Sequence, residues 1–102
     1  MSIELVNGNT LVFKVSESGE IEDLNIEGSV VNFVADMLDV NSEVITLIKN
    51  NLIKFGESIN KRKGTFVVVS KLSFDDDLNI VPTMQEAFDF IEMEEIERQL
   101  KL

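Results

Sequence analysis

Apolar residues in the first fifteen positions form two short β-type runs, Ile3 to Val6 and Thr10 to Val15, with Asn7-Gly8-Asn9 between them. Asn and Gly tolerate the positive φ of tight turns, so this spacing predicts a hairpin. Ser16 to Gly19 reads as a loop, and the sparse Ile21, Leu24 and Ile26 as an irregular edge segment. Val30, Val31, Phe33 and Val34 are dense enough for a strand covered on both faces. The period then changes. Val44, Leu47, Ile48, Leu52, Phe55 and Ile59 recur at three and four, with Thr46, Lys49, Asn50, Glu57 and Ser58 on the other side, which predicts a long amphipathic helix. Asn41 or Ser42 caps its start. Lys61-Arg62-Lys63 complements the negative end, and Gly64 is expected to supply the left-handed residue beyond it. Thr65 to Ser70 is a second buried strand, Leu72 to Leu78 an acidic loop, and Ile80-Val81 a short third buried strand. Thr83 and Glu86 have the spacing of a capping box at the start of a last helix. Strand, long helix and strand in succession imply a parallel crossover. The expected fold is therefore α/β with a mixed sheet: an antiparallel hairpin, then parallel strands, a long crossover helix and a C-terminal helix, in one domain over residues 1–102.

The phase of the last helix carries a second message. Met84, Ala87, Phe88 and Ile91 share one face and are expected on the sheet. Beyond Ile91 that face meets Glu92, Glu95 and Arg98, so core packing is expected to stop there and the helix end to overhang. Met93, Ile96 and Leu100 form an apolar set on the opposite side, bordered by Phe90. This reads as an interface, most simply with a second copy of the chain. A break near Glu92 that turns the tail back onto its own domain is the alternative.

Composition narrows the chemistry. Of 102 residues, 44% are hydrophobic, enough for a globular core. There is no cysteine and no histidine, so thiolate nucleophiles, Cys- or His-ligated metals and the commonest general base are all missing. The net charge of −10, from 19 acids and 9 bases, repels phosphate backbones and makes nucleic acid an unsuitable partner. No signal peptide, membrane span or lipidation motif is visible, and the expected location is the cytoplasm. Asp75, Asp77, Asn79 and Glu86 match the first, third, fifth and twelfth positions of a calcium loop, but Ile80 replaces its glycine and Pro82 interrupts it. The run Glu92, Glu94, Glu95, Glu97 reads as a solvated helix face rather than a catalytic carboxylate pair. No metal or cofactor is expected.

Several local motifs resemble the STAS domain, the fold of anti-sigma-factor antagonists. Gly19-Glu20-Ile21-Glu22 looks like the family's G-E-[LI]-D, Asn32-Phe33 stands where the family has D-L, and Val40-Asn41-Ser42 where it has D-S-S. Pro82-Thr83-Met84-Gln85-Glu86-Ala87-Phe88 looks like its ending, P-T-x-x-E-A-L. The glutamate-rich tail is similar to that of small STAS-like proteins of Bacteroidetes, whose genes often lie beside that of ribonuclease Z; ribonuclease chemistry itself would need histidines that this chain lacks. The resemblance implies a non-catalytic regulatory or protein-interaction module with a protein partner. It places the family's phosphoserine at Asn41, which has no hydroxyl, and leaves Ser42 as the partner-contact or phosphorylation candidate. A small-ligand-binding or sensory domain on the same fold is the alternative, with its pocket beyond the strand ends near Asn41.

Overall fold

The computed structural model of the chain describes residues 2–15 and 30–100. Five strands form one mixed sheet in the order in which they occur: β1 (Ser2–Val6), β2 (Thr10–Lys14), β3 (Asn32–Asp36), β4 (Thr65–Val69) and β5 (Asn79–Val81). The first pair is antiparallel and the remaining three pairs are parallel. Two helices complete it, α1 (Ser42–Lys61) between β3 and β4 and α2 (Met84–Leu100) after β5. This is the architecture expected from the chain's periodicity. The Gly19-Glu20-Ile21-Glu22 motif and the segment containing Ile21, Leu24 and Ile26 lie outside the described residues.

The hairpin closes at the pair Val6 and Thr10, with Asn7 at φ 56° and Gly8 at φ 76°. Those angles are the reason Asn and Gly stand there.

Alternation along the strands divides the core in two. Phe13, Phe33, Ala35, Phe66 and Val68 point to one face, under α1, with Ile45, Ile48, Leu52 and Ile59 above them. Phe55 meets three rings edge-on, its centroid 5.8 Å from Phe13, 5.5 Å from Phe33 and 5.1 Å from Phe66. Such edge-to-face contacts set ring negative faces against positive edges. Val34, Val67 and Val69 point to the other face, covered by Ala87 and Ile91 of α2. The β4–β5 connection is too short for a helix. It crosses as a loop that inserts Leu78 and Phe74 into the α1-side core and is tied to α1 by Lys49 Nζ and Asp75 Oδ2 at 3.5 Å.

Two expectations about α1 need correction. Leu47 is not in the core but 80% exposed, and Ile45 takes the buried position instead. The buried line runs Ile45, Ile48, Leu52, Ile59, and Leu47 lies two residues from Ile45, a spacing that puts side chains on nearly opposite sides of a helix. At the other end, the left-handed residue is Lys63, at φ 61°, not Gly64. Lys63 N–H donates to Asn60 O at 3.0 Å and Gly64 N–H to Ile59 O at 3.0 Å, the paired bonds of a Schellman ending. Gly64 is required for a different reason. A Cβ on it would lie 2.1 Å from the carbonyl oxygen of Val31, where α1 hands the chain back to the sheet.

At the start of α2, Thr83 Oγ1 accepts from Glu86 N–H at 3.1 Å. This is one half of the expected capping box; the return bond from the Glu86 carboxylate is not among the hydrogen bonds of the described residues.

Candidate functional site

The three central strands begin with a polar row. Thr10, Asn32 and Thr65 are the first residues of β2, β3 and β4 and sit side by side in register. All three are buried, Asn32 completely. A fully buried amide must find partners for two donors and an acceptor, and Asn32 finds them on both sides. Its Nδ2 donates to Glu95 Oε1 at 2.9 Å and to Thr10 Oγ1 at 3.3 Å. Its Oδ1 accepts from Arg98 Nη2 at 3.2 Å. Arg98 Nη1 donates in addition to Thr65 Oγ1 and to Lys63 O, each at 3.0 Å. Glu95 Oε1 also receives the Asn9 side-chain amide at 3.4 Å.

This row explains why α2 does not leave the sheet. Core packing does stop at Ile91, as expected, but the helix end does not overhang: the same face continues as Glu95 and Arg98, which meet polar residues where Ala87 and Ile91 met valines. The helix is unbroken from Met84 to Leu100, so the alternative of a break near Glu92 is excluded as well. Phe90 has a second contact. It packs against the α2-side core beside Met84 while staying half-buried, three residues before Met93, whereas Phe88 is half-buried outside that cluster. Met93, Ile96 and Leu100, spaced three and four apart, do form one exposed stripe, with Ile96 at 50% and Leu100 at 80%.

Next to Arg98 a cavity of about 590 Å³ opens at the beginning of β4 and β5, walled by Asn60, Lys63, Gly64, Thr65, Asn79, Glu94 and Arg98. A shallower one of about 330 Å³ flanks Arg98 on its other side, against Asn9, Val31, Lys63 and Glu95. Both lie at the N-terminal ends of the parallel strands. A pocket near Asn41, beyond the opposite strand ends, was the expected place.

At that opposite end the cap of α1 is Asn41, whose Oδ1 accepts from Val44 N–H at 2.9 Å. Ser42 is therefore the first helical residue and not the cap. Its hydroxyl makes no bond among the described residues, and its side chain is exposed. The loop before it is held by Lys14 Nζ and Asp39 Oδ2 at 2.6 Å. This pairing raises the Lys14 pKa and lowers that of Asp39, first through the hydrogen bond and then through the charge. Leu38, Leu72 and Leu47 are exposed around the same end of the sheet, following β3, following β4 and in the second turn of α1.

The calcium-loop residues are otherwise engaged. Asp75 Oδ1 accepts from Asp77 N–H at 2.8 Å, and Asn79 Nδ2 donates to Phe66 O at 3.3 Å. No cluster of three or more His, Cys, Asp or Glu able to hold a metal ion occurs among the described residues. No helix among them is long and apolar enough to cross a membrane.

Of the site residues named from sequence, the structure brings Asn41 and Ser42 together at one helix end and Met93, Ile96 and Leu100 on one stripe. Sequence reasoning missed the Asn32–Glu95–Arg98 cluster. The one available signal was Asn32 itself, a polar residue inside a run read as covered on both faces. No family model matches the chain, and no curated protein or solved structure is significantly similar to it.

Proposed function

We propose that the chain is a non-catalytic, STAS-like regulatory module that binds a protein partner with the surface around the N-terminus of α1. The observation that carries this reading is the set of three exposed leucines at that end of the sheet. Leu47 stands 80% exposed on the outer side of α1, in its second turn, five residues from Ser42. Leu38 and Leu72 are exposed just beyond the ends of β3 and β4. Single exposed leucines are ordinary, but three at one end of a small sheet, at the same end as the exposed Ser42, are suited to a protein partner rather than to a reaction. Nothing in it supplies a nucleophile with an adjacent base. A phosphate or acid at Ser42 would sit at the positive end of the helix, so modification would change partner contact without unfolding the domain. The second copy of the chain remains the proposed occupant of the Met93, Ile96 and Leu100 stripe, and cytoplasmic location belongs to the same reading.

The test is capture of a defined protein from native lysate by the wild type, followed by its loss with Leu47→Glu and a changed yield with Ser42→Asp. Both variants must keep the wild-type melting temperature. Undiminished capture by Leu47→Glu overturns the assignment of this surface.

A further inference from the structure

Glu94 and Arg98 are four residues apart on α2, with the acid first, the arrangement in which such side chains ordinarily pair along a helix. Here they do not. No ion pair within 4.0 Å joins them among the described residues, and none involves Lys63. Arg98 is drawn instead onto three neutral oxygens, those of Lys63 O, Thr65 Oγ1 and Asn32 Oδ1. Three of its five N–H donors are thereby used. The result is a cavity of about 590 Å³ lined by Arg98, Lys63 and Glu94, with no ion pair within 4.0 Å among the three. Asn60, Thr65 and Asn79 supply amide and hydroxyl groups between them.

We propose that this cavity binds a free α-amino acid as its zwitterion. The carboxylate would take the unused donors of Arg98 and the Lys63 ammonium, where a planar guanidinium matches a planar anion. The α-ammonium would take Glu94. The C-terminal ends of α1 and α2 both lie here, and their negative dipole ends favour the ammonium half and disfavour a ligand of net negative charge such as phosphate. Asn60 and Asn79 line the remaining volume, with the Asn79 amide N–H held by Phe66 O, and that volume is in the range of small-molecule sites. The site is at the opposite end of the sheet from Asn41 and Ser42, so it stands or falls independently of the protein-binding surface.

The experiment is an amide-resolved NMR titration of the full chain with glycine, L-glutamine and L-phenylalanine at millimolar concentration. Phenylpropionate, phenethylamine and inorganic phosphate serve as half-ligand and anion controls. At least one amino acid should give saturable shifts centred on Lys63 to Thr65 and Asn79, and no control should do so at the same concentration. Lys63→Asn removes the ammonium while suiting the left-handed backbone, so it should weaken binding about tenfold without lowering the melting temperature. Glu94→Gln should weaken it comparably. Absence of saturable shifts with all three amino acids, equal binding of a control, or undiminished binding by both variants overturns the proposal.

Discussion

Arg98 Nη2 donates to Asn32 Oδ1 at 3.2 Å and so fastens the last turn of α2 to the first residue of β3, 66 positions away. The bond is one of three that this buried amide makes, and all three partners are left short if it is removed. Asn32→Ala is expected to cost about 2–3 kcal/mol, because the Glu95 carboxylate and the Arg98 guanidinium lose partners in a partly dry site. Arg98→Ala should cost less alone, and the double variant should show a coupling of at least ~0.5 kcal/mol. Urea denaturation of the four proteins measures it; simple additivity would mean that Asn32 and Arg98 act separately.

Lys63 and Gly64 have exchanged the roles their residue types would suggest. Lys63 holds the left-handed conformation, at φ 61°, and Gly64 the close approach to Val31. Lys63→Gly should therefore stabilise the fold by about 0.5–1 kcal/mol, relief of backbone strain outweighing the added chain entropy. Gly64→Ala should destabilise it by more than ~2 kcal/mol, since backbone must move to admit the methyl group. Opposite signs in the two denaturation midpoints are the expected result.

What was legible in the sequence follows from what periodicity can carry. The hairpin was legible because Asn7 and Gly8 are residue types that accept the φ values found there, and β4 because Thr65 to Val69 is an unbroken apolar run apart from its first residue. Parallel pairing of β3 with β4 followed from the twenty-residue helix between them. The core face of α1 was read rightly at Ile48, Leu52 and Ile59 and wrongly at Leu47, because Leu47 is as apolar as Ile45 and only the sheet decides which of them is covered. The fate of α2 was misread for a deeper reason. A glutamate and an arginine on a helix face signal solvent unless a matching polar row lies beneath, and that row is assembled from Thr10, Asn32 and Thr65 on three strands distant in sequence. No local spacing encodes such a match.

The Lys14–Asp39 pair makes the loop before α1 sensitive to pH in a defined window. The Asp39 pKa is lowered in the folded protein, so its contribution is complete above the ordinary carboxylate range and is lost as pH falls through the folded value. The Lys14 pKa is raised, so its contribution is complete below the ordinary lysine value and is lost as pH rises through the folded one. Between those limits Asp39→Asn should be slightly less stable than the wild type, and the difference should vanish at both extremes and in high salt. Urea midpoints at a series of pH values check this. A difference that persists at acid pH would show that Asp39 acts through something other than its charge.

Ile96→Glu tests whether α2 is a docking face for a second copy. Met93, Ile96 and Leu100 lie on the side of the helix turned away from the sheet, and none contributes to either core cluster. Half of Ile96 is already in water, so the substitution should change monomer stability by no more than about 0.5 kcal/mol. Across a two-fold interface the same residue would meet its own counterpart or a near neighbour, and two new buried carboxylates would break the contact. Each copy carries a net charge of −10, and Glu92 and Glu97 flank the stripe, so association must overcome repulsion. A dimer held by this stripe should therefore tighten as salt is raised, the reverse of an interface built on ion pairs. Sedimentation equilibrium is expected to show a wild-type dimer that strengthens with salt and a folded Ile96→Glu monomer. A wild-type monomer at high micromolar concentration in high salt, or an Ile96→Glu protein that still dimerises, would remove the stripe as the interface.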